Sequence, residues 1–140
     1  MNSFKPARWL ALLGCSVALC AAHAGGMTKE EASAEKARID AEYKADKKAC
    51  DGLSGNAKDV CTEQAKGKEK VARAELDYKQ DTSERHRGKL TMAKADAAYN
   101  VAKEKCDDLA GEQKDVCVKD AKAAKARAEA EAKPSARTGG

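Results

Sequence analysis

Along most of this chain apolar residues return at steps of three, four and seven, the spacing of one face of an α-helix. Ala32, Ile39, Tyr43 and Cys50 form one such file, and Cys61, Ala65 and Ala72 a second. Met92, Ala95, Tyr99, Ala102 and Cys106 make a third, and Cys117, Ala121, Ala124 and Ala128 a fourth. The positions between them are filled mostly by Ala, Lys, Glu, Arg and Gln, the strongest helix formers. The pattern therefore predicts an all-α chain of four helices. The first opens at Thr28, where Glu31 stands three residues on to complete a capping box. Five acidic residues precede a basic one by four positions: Asp40 and Lys44, Glu69 and Arg73, Glu75 and Lys79, Asp115 and Lys119, Glu129 and Lys133. Each such pair adds only ~0.3 kcal/mol, but all favour helix in water.

The helices come in pairs. Tyr43 to Lys66 aligns with Tyr99 to Lys122 at 12 identical positions in 24, so one unit is repeated 56 residues on. The shared positions include Tyr43 and Tyr99, Leu53 and Leu109, Gly55 and Gly111, Asp59 and Asp115, and Val60 and Val116, with cysteines at 50, 61, 106 and 117. Gly55 and Gly111 suit a left-handed residue that ends a helix. Asn56 with Asp59 resembles an N-cap and its third position, and Asp59 and Asp115 each put a carboxylate near the positive end of a helix. Each unit is thus expected to be helix, short turn, helix, with the matched residues serving turn and packing.

Four cysteines permit three connectivities. Cys50 lies five residues before Gly55 and Cys61 six after it, so in an antiparallel hairpin both stand about 8 to 9 Å from the turn, level with each other. The same holds for Cys106 and Cys117 about Gly111. Geometry favours bridges within each unit, 50 with 61 and 106 with 117. A loop this size corresponds to roughly 3 kcal/mol in the chain-entropy model. Zinc binding would ask for closer cysteine spacings. A switchable bridge is an alternative, because Cys61 and Cys117 stand early in their helices beside lysines.

Between the units, DTSERHRG from Asp81 to Gly88 has no apolar file, and Thr82 and Ser83 are candidate N-caps. It is expected to be a hinge or kink over 81–89. If it stays helical the middle of the chain is a rod; if it turns, the hairpins fold into a thin four-helix bundle. The expected division is a signal peptide at 1–24, a first hairpin at 25–80, the hinge, a second hairpin at 90–133 and a mobile tail at 134–140.

The signal peptide rests on Lys5 and Arg8, the apolar run Trp9 to Ala22, and the small residues of Ala22-His23-Ala24. Lipid attachment at Cys15, after Leu12-Leu13-Gly14, is the alternative. Cleavage after Ala24 would leave no transmembrane segment and would reduce the 27 basic residues to 25 against 23 acidic ones. A charge so balanced argues against nucleic-acid binding. Large apolar residues are few and aromatics make up 4% of the chain, so a thin core needs staples. The matched tyrosines read as packing, and His86 as a solvated side chain. No catalytic set and no cofactor site is discernible, so the chain reads as no enzyme.

The pair CDGLSGNAKDVC and AKEKCDDLAGEQKDVC, with the intervening AKGKEKVARAEL, resembles a group of small exported Ala- and Lys-rich proteins of Gram-negative bacteria, some labelled TolA-like cell-envelope proteins. The resemblance covers about residues 36 to 128 and implies a periplasmic or secreted location. The expectation is a non-enzymatic envelope element, structural or interacting with envelope proteins. A holdase or stress chaperone, and a binder of peptidoglycan or other polyanions, are the alternatives.

Overall fold

Thr28 caps the first helix as its sequence predicts. Its hydroxyl accepts the N–H of Glu31 at 3.1 Å, and the Glu31 carboxylate accepts the N–H of Thr28 at 2.8 Å. The structure is a computed structural model that describes residues 27–133. The expected signal peptide, the alternative attachment at Cys15 and the tail at 134–140 lie outside the described residues. Four helices follow in order: α1 (Lys29–Ala49), α2 (Gly55–Gln80), α3 (Glu84–Cys106) and α4 (Gly111–Ala132), with a 3₁₀ turn at Cys50–Gly52.

Both inter-helix bridges are present, Cys50 with Cys61 and Cys106 with Cys117, each with a Cα separation of 5.7 Å. They close an α1–α2 hairpin and an α3–α4 hairpin. Gly55 and Gly111 do adopt the left-handed conformation, both at φ 56°. However, each is the first residue of the second helix of its hairpin, not the end of the first helix. The reversal itself is made upstream, in the first hairpin by the 3₁₀ turn and the extended Leu53 and Ser54, and in the second by a turn over 107–109 and the extended Ala110. Asn56 is accordingly inside α2 and caps nothing; Ser54 is the N-cap residue. Asp59 and Asp115 sit one residue past the first turn, where a helix dipole has weakened.

The chain turns at Asp81–Ser83, and Glu84–Lys89, part of the expected hinge, are helical. Asp81, Thr82 and Ser83 are weak helix formers whose side chains bond the backbone instead. The Asp81 carboxylate accepts the N–H of Ser83 at 3.0 Å, and the Ser83 hydroxyl accepts that of His86 at 3.4 Å. Folding back lays α3 along α2, which forms the largest helix–helix interface. A Cβ on Gly67 would fall 2.9 Å from the Cβ of Ala97, so the two helices meet closely where the glycine removes a methyl.

The resulting bundle is open. α1 packs on α2 and α4 packs on α3, and no Cα of α1 comes within 8 Å of one in α3 or α4. Closing a bundle requires every helix to carry a stripe wide enough for two neighbours. Only the inner helices do: α2 turns Cys61 towards α1 and Gly67 towards α3, while α3 turns Ala97 towards α2 and Cys106 towards α4. The core is correspondingly thin. Ala32, Ile39, Cys50, Ala65, Leu76, Ala93, Ala95 and Cys106 are buried, and α4 has no buried residue. Met92 does not join its file, being 48% exposed; Ala93, one residue on, is buried.

Candidate interaction grooves

The repeat-matched turn positions are not core. Leu53, Leu109 and Val116 are exposed, and Val60 is only half-buried. In the second hairpin Leu109 and Val116 instead line an open groove of about 840 Å³ that runs along α4. Its walls are Ala102 on α3, and Val116, Cys117, Ala121 and Ala124 on α4. Glu112, Gln113 and Asp120 complete the lining, which holds two carboxylates and no cation.

The first hairpin differs at the corresponding place. Asp46 and Lys68, the residues 56 positions before Ala102 and Ala124, form an ion pair across α1 and α2 at 3.0 Å. Both line a larger groove of about 1040 Å³ between α1, α2 and α3. That groove is floored by Ile39, Ala65, Val71 and Val101 but crossed by charges, with Arg38, Glu42, Glu69 and Glu75 also in its walls. At these two positions a cross-hairpin ion pair in the first groove is replaced by alanines in the second.

Other carboxylates knit the helices together. Of the five pairs expected along single helices, Glu69 with Arg73 forms, at 3.0 Å. Asp40 instead meets Arg73 of α2, Glu75 meets Lys94 of α3 at 3.1 Å, and Glu129 meets Lys125 at 3.6 Å. Asp96 is held between Lys70 of α2 at 2.5 Å and Lys125 of α4 at 2.8 Å. The bond from Lys125, then that from Lys70, holds the Asp96 carboxyl below its usual range.

A carboxyl with a depressed folded pKa stabilises above the unfolded value, about 3.9, and that contribution is lost as pH falls through the folded value. Asp96→Asn should therefore reduce stability at neutral pH by about 1 kcal/mol or less, because the cluster is partly solvated. It should also flatten the loss of stability below about pH 4. Urea titrations from pH 3 to 7 test this, and identical acid limbs for the two proteins would count against it.

His86, expected to be solvated, is half-buried beside Asp81 and Ser83, with Nδ1 at 2.8 Å from the Asp81 carboxylate and 3.3 Å from the Ser83 hydroxyl. A catalytic triad needs acid and hydroxyl on opposite ring nitrogens. Here both meet the same nitrogen, so the cluster is a helix cap. Lysine ammonium groups lie over both matched tyrosines, Lys47 at 5.8 Å from Tyr43 and Lys125 at 5.3 Å from Tyr99. Among the described residues no three His, Cys, Asp or Glu side chains gather as a metal site, and no helix is long and apolar enough to cross a membrane.

Periodicity alone places Ala102 and Ala124 only in apolar files. Their distinctive signal lies in where the two units differ, whereas the repeat is recognised by where they agree. Comparison with protein-family models, curated proteins and solved structures found no match to this chain.

Proposed function

We propose that this chain is a non-enzymatic, exported interaction element of the cell envelope. The observation that carries this reading is the apolar groove of the second hairpin, open on a scaffold whose two bridges are compatible with an oxidising compartment. Leu109 is 39% and Val116 49% exposed, together on one groove, which is how a helix-binding surface differs from scattered apolar residues.

The holdase reading draws on the same exposed side chains, yet a short apolar groove beside two carboxylates fits a defined partner better than indiscriminate capture of unfolded clients. Polyanion binding finds no cation in this groove, so it would have to use lysines elsewhere. A photo-crosslinking residue placed at Val116 should give a discrete protein adduct in cells that is absent when the same residue replaces Glu30, at the far end of α1. Indistinguishable adducts from the two positions would sink the reading.

A further inference from the structure

The geometry points to a cationic amphipathic helix as the occupant of the second-hairpin groove; this rests on the interaction-element reading and narrows it to a partner chemistry. The groove extends from Leu109 to Ala124, and at 1.5 Å per residue its α4 wall from Glu112 to Ala124 is about 18 Å long. That length accepts roughly three turns of helix, whose apolar residues at steps of three, four and seven would meet Leu109, Val116, Ala121 and Ala124 in turn.

Charge selects among such helices. Basic residues slightly outnumber acidic ones, 25 to 23 after the expected cleavage, so a groove containing Glu112 and Asp120 and no cation does not follow from composition. Two of the nearby lysines are engaged elsewhere: Lys114 binds Asp107 at 2.9 Å and Lys125 binds Asp96 at 2.8 Å, while Lys105 and Lys119 are exposed and do not line the groove. A helix carrying Lys or Arg beside its apolar stripe would place them against the two free carboxylates. An acidic helix or an anionic lipid surface would meet repulsion at the same place.

The first hairpin supplies the comparison that makes the inference testable. It has the same cysteines and turn, but Asp46 and Lys68 cross its groove where Ala102 and Ala124 leave the second one clear. Writing the ion pair into the second hairpin should put charge across its apolar lining without disturbing the fold, because the first hairpin already carries that pair in a groove that stays open.

The test uses the oxidised full chain and a 14-residue helical peptide of leucine and lysine arranged as one apolar face, with a leucine and glutamate peptide of the same pattern as counterpart. Titration followed by anisotropy at low salt is expected to show binding of the lysine peptide, at least tenfold tighter than its glutamate counterpart. Ala102→Asp with Ala124→Lys should weaken that binding at least tenfold while leaving the helical circular dichroism and melting temperature within a few degrees. Val116→Lys, at an exposed position that costs no core, should do the same. Binding unchanged in these variants, or absent in the parent protein, would overturn the assignment of the groove.

Equal binding of both peptides, lost together on Ala102→Asp with Ala124→Lys, would overturn the cationic partner and leave the broader interaction reading standing. That broader reading fails separately, on the crosslinks at Val116.

Discussion

Replacing Cys106 and Cys117 together by serine is expected to lower stability by about 3 kcal/mol and to free α4 from α3. The same change at Cys50 and Cys61 should be less disruptive to its own hairpin. The bridges close loops of equal length, each with a sequence separation of 11, so their chain-entropy contributions are alike. What differs is what remains once a bridge is gone. The first hairpin buries Ile39 and Leu76, each 2% exposed, and a fully buried side chain of this kind contributes about 1.5 to 3 kcal/mol. At the corresponding places the second hairpin has Ala95 and Ala132, and α4 buries nothing.

Without its bridge, α4 is therefore left with partly exposed alanine contacts and the Lys125–Asp96 and Lys114–Asp107 pairs. Surface pairs of this kind are worth about 1 kcal/mol or less. Urea denaturation should show the larger loss for the Cys106 and Cys117 variant. Hydrogen exchange should show the amides of α4 losing protection before those of α1, α2 and α3. If α1 exchanges first, or if both variants match the parent protein, this account of the core is wrong.

The second large effect is a change of sign at Gly67. In a helix that faces water, Gly→Leu stabilises by roughly 0.8 kcal/mol, because glycine is a poor helix former. In the folded-back structure a Cβ at this position would lie 2.9 Å from the Ala97 Cβ, well inside the ordinary contact of about 3.5 to 4.0 Å between carbons. Alanine offers no flexible tip that could swing away, so α2 and α3 must part. Overpacking of this kind costs typically about 1 to 3 kcal/mol, which outweighs the gain in propensity.

Gly67→Leu should therefore destabilise by about 2 kcal/mol. Gly67→Ala combined with Ala97→Gly, which exchanges the methyl across the interface, should recover more stability than the two single changes predict when added. Chemical denaturation of the parent protein and these four variants measures both quantities. A stabilised Gly67→Leu protein would mean that α2 and α3 stand apart, as in an extended rod.

Sequence and structure agree where the determinants are local. The Thr28 capping box, the helix at each apolar file and the level cysteines of each hairpin depend on residues within about a dozen positions of one another, so spacing alone discloses them. The glycines were readable as left-handed residues, but not as helix starts. That depended on the turn upstream, in which the carbonyl of Cys50 binds the N–H of Leu53, and that of Cys106 the N–H of Leu109, each at 3.0 Å. The Asn56 cap failed for the same reason: helix entry is displaced to Ser54 once the turn has formed.

By itself, then, the sequence determined four helices in two stapled hairpins, because propensity, capping and the cysteine spacing act along short stretches of chain. The turn at Asp81–Ser83 was legible as a hinge through its candidate cap Ser83, whereas tertiary structure alone decided that Gly67 and Ala97 meet, and that Asp96 bridges Lys70 and Lys125. Each depends on the register between helices distant in sequence, for which helical periodicity carries no information. The groove lies between these cases: Ala102 and Ala124 are plain in the sequence, yet only the packing of α4 on α3 places two alanines on a groove whose counterpart in the first hairpin is crossed by an ion pair.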